Sequence, residues 1–200
     1  SRMAKQYQQR DKYYKKAKKD GFVARSVYKL EELDARHQLL RKNDKVIDFG
    51  CAPGSWLQYI GSVIGEDGFV LGYDLVQPRV SIPNAKVVVT DIHELTPEQV
   101  RIDSGVPDFQ VQVVLSDMAP KTTGIRDADQ ARSIGLVEHA LYLCEDILVP
   151  EGIFAAKVFQ GRGLDEFIQQ LRKTFKKVKT IRPKATRQGS REAFIIAQGR

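Results

Sequence analysis

The amino-acid sequence predicts an α/β protein, in which a mostly parallel sheet of seven strands carries helices on both faces. Short apolar segments alternate with segments of helical periodicity along the 200 residues, and this alternation is typical of βαβ units. A glycine-rich turn follows the first apolar segment and acidic residues follow the next three, as expected at the carboxyl ends of parallel strands. Because repeats and low-complexity linkers are absent, we expect a single domain over residues 1–200.

The amino-terminal half divides into an arm, two helices and four strands. Tyrosines lie among lysines and arginines in residues 1–20, and this composition predicts a basic amino-terminal arm. Apolar residues recur at helical spacing over residues 25–37, which indicates an amphipathic helix. Turn residues bound the remaining elements, which are a strand at 45–50, a helix at 55–64 and strands at 69–74, 86–90 and 111–115.

The carboxyl-terminal half predicts two helices and three strands. One apolar stripe at helical spacing indicates a long helix, and its members are Ile134, Val137, Leu141, Cys144 and Leu148. We expect this helix to end at Pro-Glu-Gly, residues 150–152. The other predicted elements are a strand at 153–158, a helix at 164–175 and strands at 178–182 and 192–197. The loop at residues 183–191 is basic and flexible in composition.

Composition excludes several classes of protein. Hydrophobic residues make up 42% of the chain, which is ordinary for a globular protein. No apolar run reaches 18 residues, and the lysine-rich first thirty residues hold no apolar block, so neither a membrane helix nor a secretory signal is expected. Two cysteines in unrelated contexts, Cys51 and Cys144, predict a reducing, cytoplasmic location. The histidines show no metal-ligand spacing, so we expect no metal.

Charge is distributed unevenly along the chain. The formal net charge is +7, but residues 1–29 and 162–200 each carry +8 and residues 30–161 carry −9. One interpretation is a solvated tail together with a charged surface helix. The other is that the two basic ends fold onto one face and bind the phosphates of a nucleic acid. Composition alone leaves both interpretations open.

The first predicted strand runs directly into Gly-Cys-Ala-Pro-Gly at residues 50–54. Glycines at this position allow the backbone to approach a ligand closely. The turn lacks the Gly-x-Gly-x-x-Gly pattern, Pro53 removes one N–H, and no Walker lysine follows Gly54. A nicotinamide-dependent oxidoreductase and a nucleoside triphosphatase are therefore disfavoured, while a plain strand-to-helix turn remains an alternative.

Acidic residues follow the second, third and fourth predicted strands at Asp74, Asp91 and Asp117. One acid at a strand end is most often a turn former. Beside a glycine turn, however, Asp74 is suited to bind ribose hydroxyls and Asp91 to reach an adenine edge. Because carboxylates repel pyrophosphate and attract cations, the combination predicts a nucleoside ligand with a positive end, such as S-adenosylmethionine.

Lys157 interrupts an apolar run over residues 153–159. A lysine within a buried strand rarely lacks a partner, because burying an unpaired charge is costly. At the carboxyl end of the strand its side chain is expected to reach the active cleft. This position favours a functional role for Lys157.

Four blocks of sequence stand out along residues 11–199: Asp48-Phe-Gly-Cys-Ala-Pro-Gly-Ser-Trp56, Leu115-Ser-Asp-Met-Ala-Pro120, Ala156-Lys-Val-Phe-Gln-Gly161 and Ser190-Arg-Glu-Ala-Phe194. Together they resemble the FtsJ/RrmJ family of RNA ribose 2′-O-methyltransferases, although the first block alone fits many methyltransferases. The resemblance implies a Rossmann-like methyltransferase fold and S-adenosylmethionine as the cofactor. Ser55 is a mild departure, since many relatives have glycine there.

The resemblance also implies the site residues. The family's Lys–Asp–Lys–Glu catalytic tetrad corresponds to Lys29, Asp117, Lys157 and Glu192. The cofactor-binding residues correspond to Gly50, Pro53, Gly54, Trp56, Asp74, Asp91 and Asp117. Simpler interpretations exist for single members: Lys29 as a solvated charge, Glu192 as a partner of Arg191 or of a lysine, and Trp56 as core. Whether Lys157 accepts the hydroxyl proton or stabilises the oxyanion is left open by the sequence.

The substrate implied by the resemblance is RNA. The chain is most similar to the short members that act on large-subunit rRNA, which implies a uridine ribose in 23S-type rRNA within the large ribosomal subunit. A tRNA methyltransferase and a non-catalytic ribosome-assembly module are the alternatives. We expect the arm and the loop at 183–191 to follow phosphates and Tyr13 and Tyr14 to stack on bases, while Phe22 is equally suited to base stacking or to core packing. We expect the protein to act as a monomer and to make no contact with membranes.

Overall fold

A computed structural model describes residues 2–187 and 189–200. Within these residues seven strands form one sheet in the order β3-β2-β1-β4-β5-β7-β6. The strands are β1 Lys45–Phe49, β2 Phe69–Asp74, β3 Ala85–Val89, β4 Val111–Ser116, β5 Leu148–Phe159, β6 Lys177–Ile181 and β7 Glu192–Gln198. The first five strands pair in parallel, whereas β7 is antiparallel to both β5 and β6. The predicted mostly parallel sheet is therefore confirmed.

Six α-helices and one short 3-10 helix lie in the described part of the chain. They are α1 Arg2–Asp20, α2 Val27–His37, α3 Ser55–Ile64, α4 Pro97–Ser104, α5 Arg126–Cys144, α6 Leu164–Thr174 and the 3-10 helix Ile92–Glu94. The basic arm predicted for residues 1–20 is thus helical from residue 2 onward, although its apolar content is too low to indicate a helix by periodicity. Helix α4 was not predicted either; it begins at a proline, and the Thr96 side chain caps it.

Two apolar layers pack against the two faces of the sheet. On one face, α4, α5 and α6 cover alternate strand residues such as Ile47 and Phe49 of β1. On the other face, α2 and α3 cover the intervening residues, such as Val46. Because side chains alternate along a strand, Lys157 shares the α2/α3 face with Ala155. The same alternation assigns Glu192 of β7 to this face.

The prediction that Leu148 belongs to the long helix is wrong. Helix α5 ends at Cys144, and Leu148 begins β5, where it pairs with Val111 of β4. Residues 150–152 consequently lie inside the strand rather than at a helix end. Leu148 continues the helical stripe only in spacing, and short apolar segments cannot distinguish helix from strand by periodicity alone. Backbone pairing with β4 decides the conformation.

Two further observations concern the whole fold. Both cysteines, Cys51 and Cys144, are buried and unbonded to each other, as expected for a chain without a disulfide framework. Among the residues that the structure describes, none of the helices has the length and apolar character needed to cross a bilayer.

Candidate active site

A cleft of about 830 Å³ opens at the carboxyl ends of β1, β2 and β4. Gly50 directly follows β1 and lines the cleft with φ at +79°. A Cβ atom at Gly50 would lie 2.9 Å from Met118 Cγ and 3.3 Å from the carbonyl carbon of Asp117. A side chain at this position is therefore excluded both by backbone conformation and by space. The close approach keeps the glycine turn and the Asp117 loop in contact beneath the cleft.

Two predicted acids, Asp74 and Asp91, also line the cleft. Asp74 Oδ2 accepts a hydrogen bond from the Ala52 N–H at 2.8 Å, and Asp74 Oδ1 accepts one from the Leu75 N–H at 2.6 Å. Asp91 Oδ1 accepts from the His93 N–H at 2.9 Å. A carboxylate offers about four acceptor positions, so both groups retain capacity for ligand hydroxyl or amino groups. Asp74 additionally holds the glycine turn against β2.

The lining of the cleft suits a nucleoside with a cationic end. Three acidic residues at strand ends line it, and apolar side chains such as Met118 and Leu136 provide a surface for a base. Two cations, Lys121 and Arg132, lie on the side of α5, where Arg132 donates to the carbonyl oxygen of Lys121 at 3.0 Å. These features fit S-adenosylmethionine.

Three other predicted cofactor residues do not line the cleft. Gly54 has φ at +123°, and a Cβ there would lie 2.4 Å from Val80 Cγ2. Pro53 precedes it in the same turn, and the Ala52–Pro53 peptide bond is cis. Trp56 is buried, and its indole N–H donates to the Ser26 carbonyl at 3.0 Å. Direct cofactor contact by these residues stays a prediction.

The four tetrad residues come from four separate elements and meet at one point. Lys29 lies on α2, Asp117 directly follows β4, Lys157 lies on β5, and Glu192 begins β7. Lys157 Nζ is 3.2 Å from Asp117 Oδ1 and 3.7 Å from Glu192 Oε1. Lys29 Nζ is 3.1 Å from Glu192 Oε2. The structure therefore assembles two lysines and two carboxylates into one alternating chain of ion pairs.

Burial makes these ion pairs sensitive to the loss of any partner. The Lys157 side chain is 9% exposed and the Asp117 side chain 15% exposed. Burial alone would raise the pKa of the Glu192 carboxyl, but the charges and hydrogen bonds of Lys157 and Lys29 outweigh burial and lower this pKa. Glu192 is therefore held as a carboxylate between the two ammonium groups.

Asp48 is a site-adjacent residue that sequence reasoning missed. Its side chain is fully buried in β1, and neither carboxyl oxygen has a hydrogen-bond partner among the described residues. Burial, and then the negative charges of Asp117 and Asp74, raise the pKa of Asp48 well above its usual value. An acid inside the apolar segment of β1 is the same kind of signal as Lys157 in β5, and it could have been noticed in the sequence.

Helix α5 fastens the strand end that carries Lys157. The buried side chains of Gln130 and Ser133 both bind the backbone of Phe159, two residues after Lys157. Gln130 Nε2 donates to the Phe159 carbonyl at 2.6 Å, and the Phe159 N–H donates to Ser133 Oγ at 2.9 Å. Buried Asp129 similarly accepts from Thr123 in the loop after β4. Sequence analysis did not single out these residues, because polar side chains on a helix usually face solvent.

The two basic ends of the chain meet beside the tetrad. Ala17 of α1 and Ala185 of the loop at 183–191 belong to one buried cluster with Tyr28. Arg25 Nη2 donates to the Ala185 carbonyl at 3.0 Å. Tyr28 precedes Lys29, so this cluster adjoins the tetrad. The amino-terminal helix and the carboxyl-terminal loop are consequently neighbours, as the second interpretation of the charge pattern requires.

The aromatic residues of this region differ in exposure. Tyr13 is half-buried, with its ring centroid 5.8 Å from that of Tyr28. Phe22 is also half-buried, with its ring edge-on to Tyr28 at 6.2 Å. Tyr14 is 60% exposed and Tyr7 is 74% exposed. The structure therefore assigns Tyr13 and Phe22 to packing and leaves Tyr14, together with Tyr7, available for ligand contact.

The fold, the carboxylate-lined cleft and the glycine turn define the class of protein: a Rossmann-like, S-adenosylmethionine-dependent methyltransferase. A solved structure of human methyltransferase-like protein 13 in complex with SAH shares the fold, with a TM-score of 0.58, 16% identity and coverage of 87% of this chain and 80% of that one. More specifically, a model of the FtsJ-like methyltransferase family matches residues 22–200. The chain belongs to this family, and the resemblance and cofactor predicted from the sequence are confirmed.

Individual relatives support the same assignment. The chain is 47% identical over 188 residues to a ribosomal RNA large subunit methyltransferase E from Desulfatibacillum aliphaticivorans, covering 94% of this chain and 89% of the relative. It is 42% identical over 191 residues to the protein of that name from Bdellovibrio bacteriovorus, covering 95% and 96%. A solved ribosomal RNA methyltransferase from Plasmodium falciparum superposes with a TM-score of 0.76 at 25% identity, covering 89% and 98%.

Proposed function

We propose that this methyltransferase transfers a methyl group from S-adenosylmethionine to a ribose 2′-hydroxyl of RNA. The observation that carries the proposal is the double role of Asp117, which lines the cofactor cleft and pairs with Lys157 at 3.2 Å. A hydroxyl seated against Lys157 would therefore lie beside the methyl end of the cofactor. Positioning of the two reactants accounts for much of the rate enhancement in such a transfer.

The proposed substrate is large-subunit rRNA, at a uridine of the 23S type. The relatives at 40–47% identity are named ribosomal RNA large subunit methyltransferase E. The similarity to the first of these relatives extends over 94% of the chain, and the family model matches residues 22–200, which include the blocks around Lys157 and Glu192. Methylation mapping of total RNA after incubation with labelled cofactor tests this substrate. Label in tRNA alone would contradict it in favour of the tRNA alternative, and a failure to label any RNA would favour an assembly module.

In the proposed mechanism Lys157 contacts the ribose 2′-oxygen, which attacks the methyl group. The bound cofactor supplies a methyl group on a positively charged sulfur, so the donor is already activated. The Lys157 ammonium donates a hydrogen bond to the ribose 2′-oxygen and stabilises the negative charge that develops there. The 2′-hydroxyl would give its proton to water as the oxygen–methyl bond forms and the methyl–sulfur bond breaks, and the negative charge that this proton loss places on the oxygen is the charge that Lys157 stabilises.

The other three tetrad residues hold this ammonium and the ribose. Asp117 and Glu192 flank Lys157 on two sides at 3.2 and 3.7 Å, which restricts the position of Nζ. Lys29, paired with the second oxygen of Glu192 at 3.1 Å, provides a further donor for a ribose hydroxyl. Removing Lys157 would leave the partly buried Asp117 carboxylate without its ion-pair partner and Glu192 paired with Lys29 alone, so a neutral replacement is expected to lower the stability of the fold.

The RNA is proposed to bind across the junction of α1 and the loop at residues 183–191. Both segments are basic, and both adjoin the tetrad through the cluster of Ala17, Tyr28 and Ala185. Neutralisation of phosphates releases counterions, so binding is expected to weaken steeply as salt rises. A flat dependence of RNA affinity on salt would contradict this surface.

A single-turnover assay of the Lys157→Ala variant tests the catalytic assignment. We expect methyl transfer to fall by roughly 10² or more, while calorimetry shows S-adenosylmethionine binding unchanged. The matched control is Lys173→Ala, which removes an exposed lysine from α6 on the opposite face of the sheet. Normal turnover by Lys157→Ala would overturn the assignment.

We further propose that residues 1–200 act as one domain, as a monomer, in the cytoplasm and on rRNA within the large ribosomal subunit. The support for a monomer is that all four tetrad residues come from a single chain. Sedimentation of the active protein tests the monomer. Comparison of naked rRNA with assembled subunits as substrate tests the ribosomal context.

A further inference from the structure

We propose that Arg191 binds one particular phosphate of the substrate, the phosphodiester on the 3′ side of the methylated ribose. The proposal rests on the proposed function and names the group of the RNA that this arginine recognises. In RNA the 3′-phosphate is attached next to the 2′-hydroxyl, so it is the nearest anion to the reacting oxygen. A cationic side chain that lies close to Lys157 would therefore be in position to bind this 3′-phosphate.

The side chain of Arg191 stacks on Phe159, which lies two residues after Lys157 on β5. Lys157 and Phe159 are alternate residues of β5, so they point to the same face and their Cα atoms are separated by about 7 Å. The Arg191 guanidinium lies over the Phe159 ring, with Cζ 5.2 Å from the ring centroid. The Arg191 guanidinium therefore lies over the residue that follows Lys157 on the same face of β5, toward the carboxyl end of the strand.

The guanidinium lacks an anionic partner. Among the described residues no carboxylate lies within ion-pair distance of Arg191, and its Nη1 is buried without a hydrogen-bond acceptor. An unmet buried donor is costly, and an arginine fixed by stacking usually serves a planar anion. Arrival of a phosphate oxygen would satisfy the donors through charge-assisted, bidentate hydrogen bonds.

The backbone around Arg191 is firmly held. The Gln160 N–H donates to the Arg191 carbonyl at 2.6 Å, which joins the end of β5 to the residue before Glu192. The Glu192 N–H donates to Ser190 Oγ at 3.1 Å. Arg182 adds positive charge nearby and donates to Gln160 Oε1 at 3.5 Å. Arg191 is thus presented at a defined position, unlike a lysine of the exposed amino-terminal helix.

This arrangement separates Arg191 from the general basic surface. The lysines of α1 neutralise phosphates at many positions, so they supply affinity without a fixed register. A stacked arginine adjacent to the tetrad would fix the register by selecting the phosphate that follows the target ribose. Replacing the arginine with lysine keeps the charge but loses the planar fork, so Arg191→Lys should recover activity only in part.

The experiment combines an enzyme variant with a modified RNA. The RNA is a 23S-type rRNA fragment spanning the methylated nucleotide, made with either a natural phosphodiester or a neutral methylphosphonate at the 3′ linkage. For the unaltered enzyme we expect the neutral linkage to lower kcat/KM by roughly tenfold to a hundredfold. Arg191→Gln should show a loss of similar size on natural RNA and almost no further loss on the modified RNA. Independent, multiplicative losses would overturn the proposal.

The salt dependence of RNA binding and a control variant on the opposite face test the same contact. The slope of log affinity against log salt is negative, and Arg191→Gln should make it less steep by about 0.7 for rRNA. An unchanged slope would overturn the proposal, and this binding measurement does not depend on methylation of the RNA. Arg172→Gln, which removes an exposed arginine of α6 on the opposite face, should change neither readout. If the unaltered enzyme methylates no RNA, the proposed function fails separately from the arginine contact.

Discussion

Glu192 contacts Lys29 through Oε2 at 3.1 Å, although the two residues are 163 positions apart in the chain. The other carboxylate oxygen, Oε1, lies 3.7 Å from Lys157 Nζ. One side chain thus joins helix α2 at the amino-terminal end of the fold to strand β5 at its centre. The junction lies at the edge of the cofactor cleft because Lys157 also pairs with Asp117.

Replacing Glu192 with glutamine should impair methyl transfer more than binding. Glu192→Gln keeps the shape of the side chain but leaves the two lysines without their shared counter-charge. We expect single-turnover methyl transfer to fall by roughly 10² and S-adenosylmethionine affinity, measured by calorimetry, to stay unchanged. Glu166→Gln, on the exposed side of α6, is the matched control. Full activity of Glu192→Gln would contradict a role in catalysis for the ion pairs of Glu192 with Lys29 and Lys157.

The same carboxylate should make stability depend on pH in the acid range. Lys157 and Lys29 lower the pKa of Glu192 in the folded protein below its ordinary value of 4.5. A depressed pKa means that the stabilisation is fully present above pH 4.5 and is lost as the pH falls through the folded-state pKa. Urea unfolding should therefore show a stability gap between the unaltered protein and Glu192→Gln that narrows below pH 4.5. A gap that widens in acid would contradict this sign.

The polar anchor of β5 on α5 should affect both stability and catalysis. Ser133→Ala removes the acceptor of the partly buried Phe159 N–H, which is expected to lower the free energy of unfolding by about 1 kcal/mol. Because Phe159 is two residues from Lys157, kcat should fall while KM for S-adenosylmethionine changes little. Ser62→Ala removes an exposed hydroxyl from α3 and serves as the control. Equal effects of the two substitutions would contradict the anchor.

Truncation of two adjacent tyrosines of α1 should affect different properties of the protein, the thermal stability in one case and the RNA affinity in the other. Tyr13 packs against Tyr28 and lies beneath the Arg25 guanidinium, whereas Tyr14 is 60% exposed. Tyr13→Ala should lower the melting temperature. Tyr14→Ala should leave the melting temperature unchanged and weaken rRNA binding by about 1–3 kcal/mol if its ring stacks on a base. Unchanged RNA affinity of Tyr14→Ala would remove this residue from the RNA surface.

Asp48 should oppose stability as the pH rises. Its raised pKa means that the neutral carboxyl is favoured in the fold. The contribution of Asp48 to the free energy of unfolding is therefore most favourable below the ordinary aspartate value of 3.8, and it declines as the pH rises toward the folded-state pKa. Asp48→Asn removes this titration. Urea unfolding at pH 5 and pH 8 should show the variant gaining stability relative to the unaltered protein at the higher pH. A constant difference would indicate that Asp48 is ionised in the fold.

Local sequence patterns predicted much of the fold for an identifiable reason. The helix predicted at 55–64 coincides with α3, because an apolar periodicity and flanking glycines lie together within the segment. Strands β1, β2 and β4 were predicted within about one residue, since buried parallel strands form continuous apolar runs. Leu148 was assigned wrongly because its spacing fits a helix equally well, and only pairing with Val111 distinguishes the two.

The sequence by itself determined the local elements, the glycine turn at the end of β1 and the segregation of charge into two basic ends and an acidic centre. Each of these follows from neighbouring residues. Tertiary structure alone decided that Lys29 meets Glu192, that α5 fastens the end of β5 through Gln130 and Ser133, and that Asp48 is enclosed. Contacts between distant segments depend on strand order and on the packing of side chains against the sheet, and no local pattern encodes either.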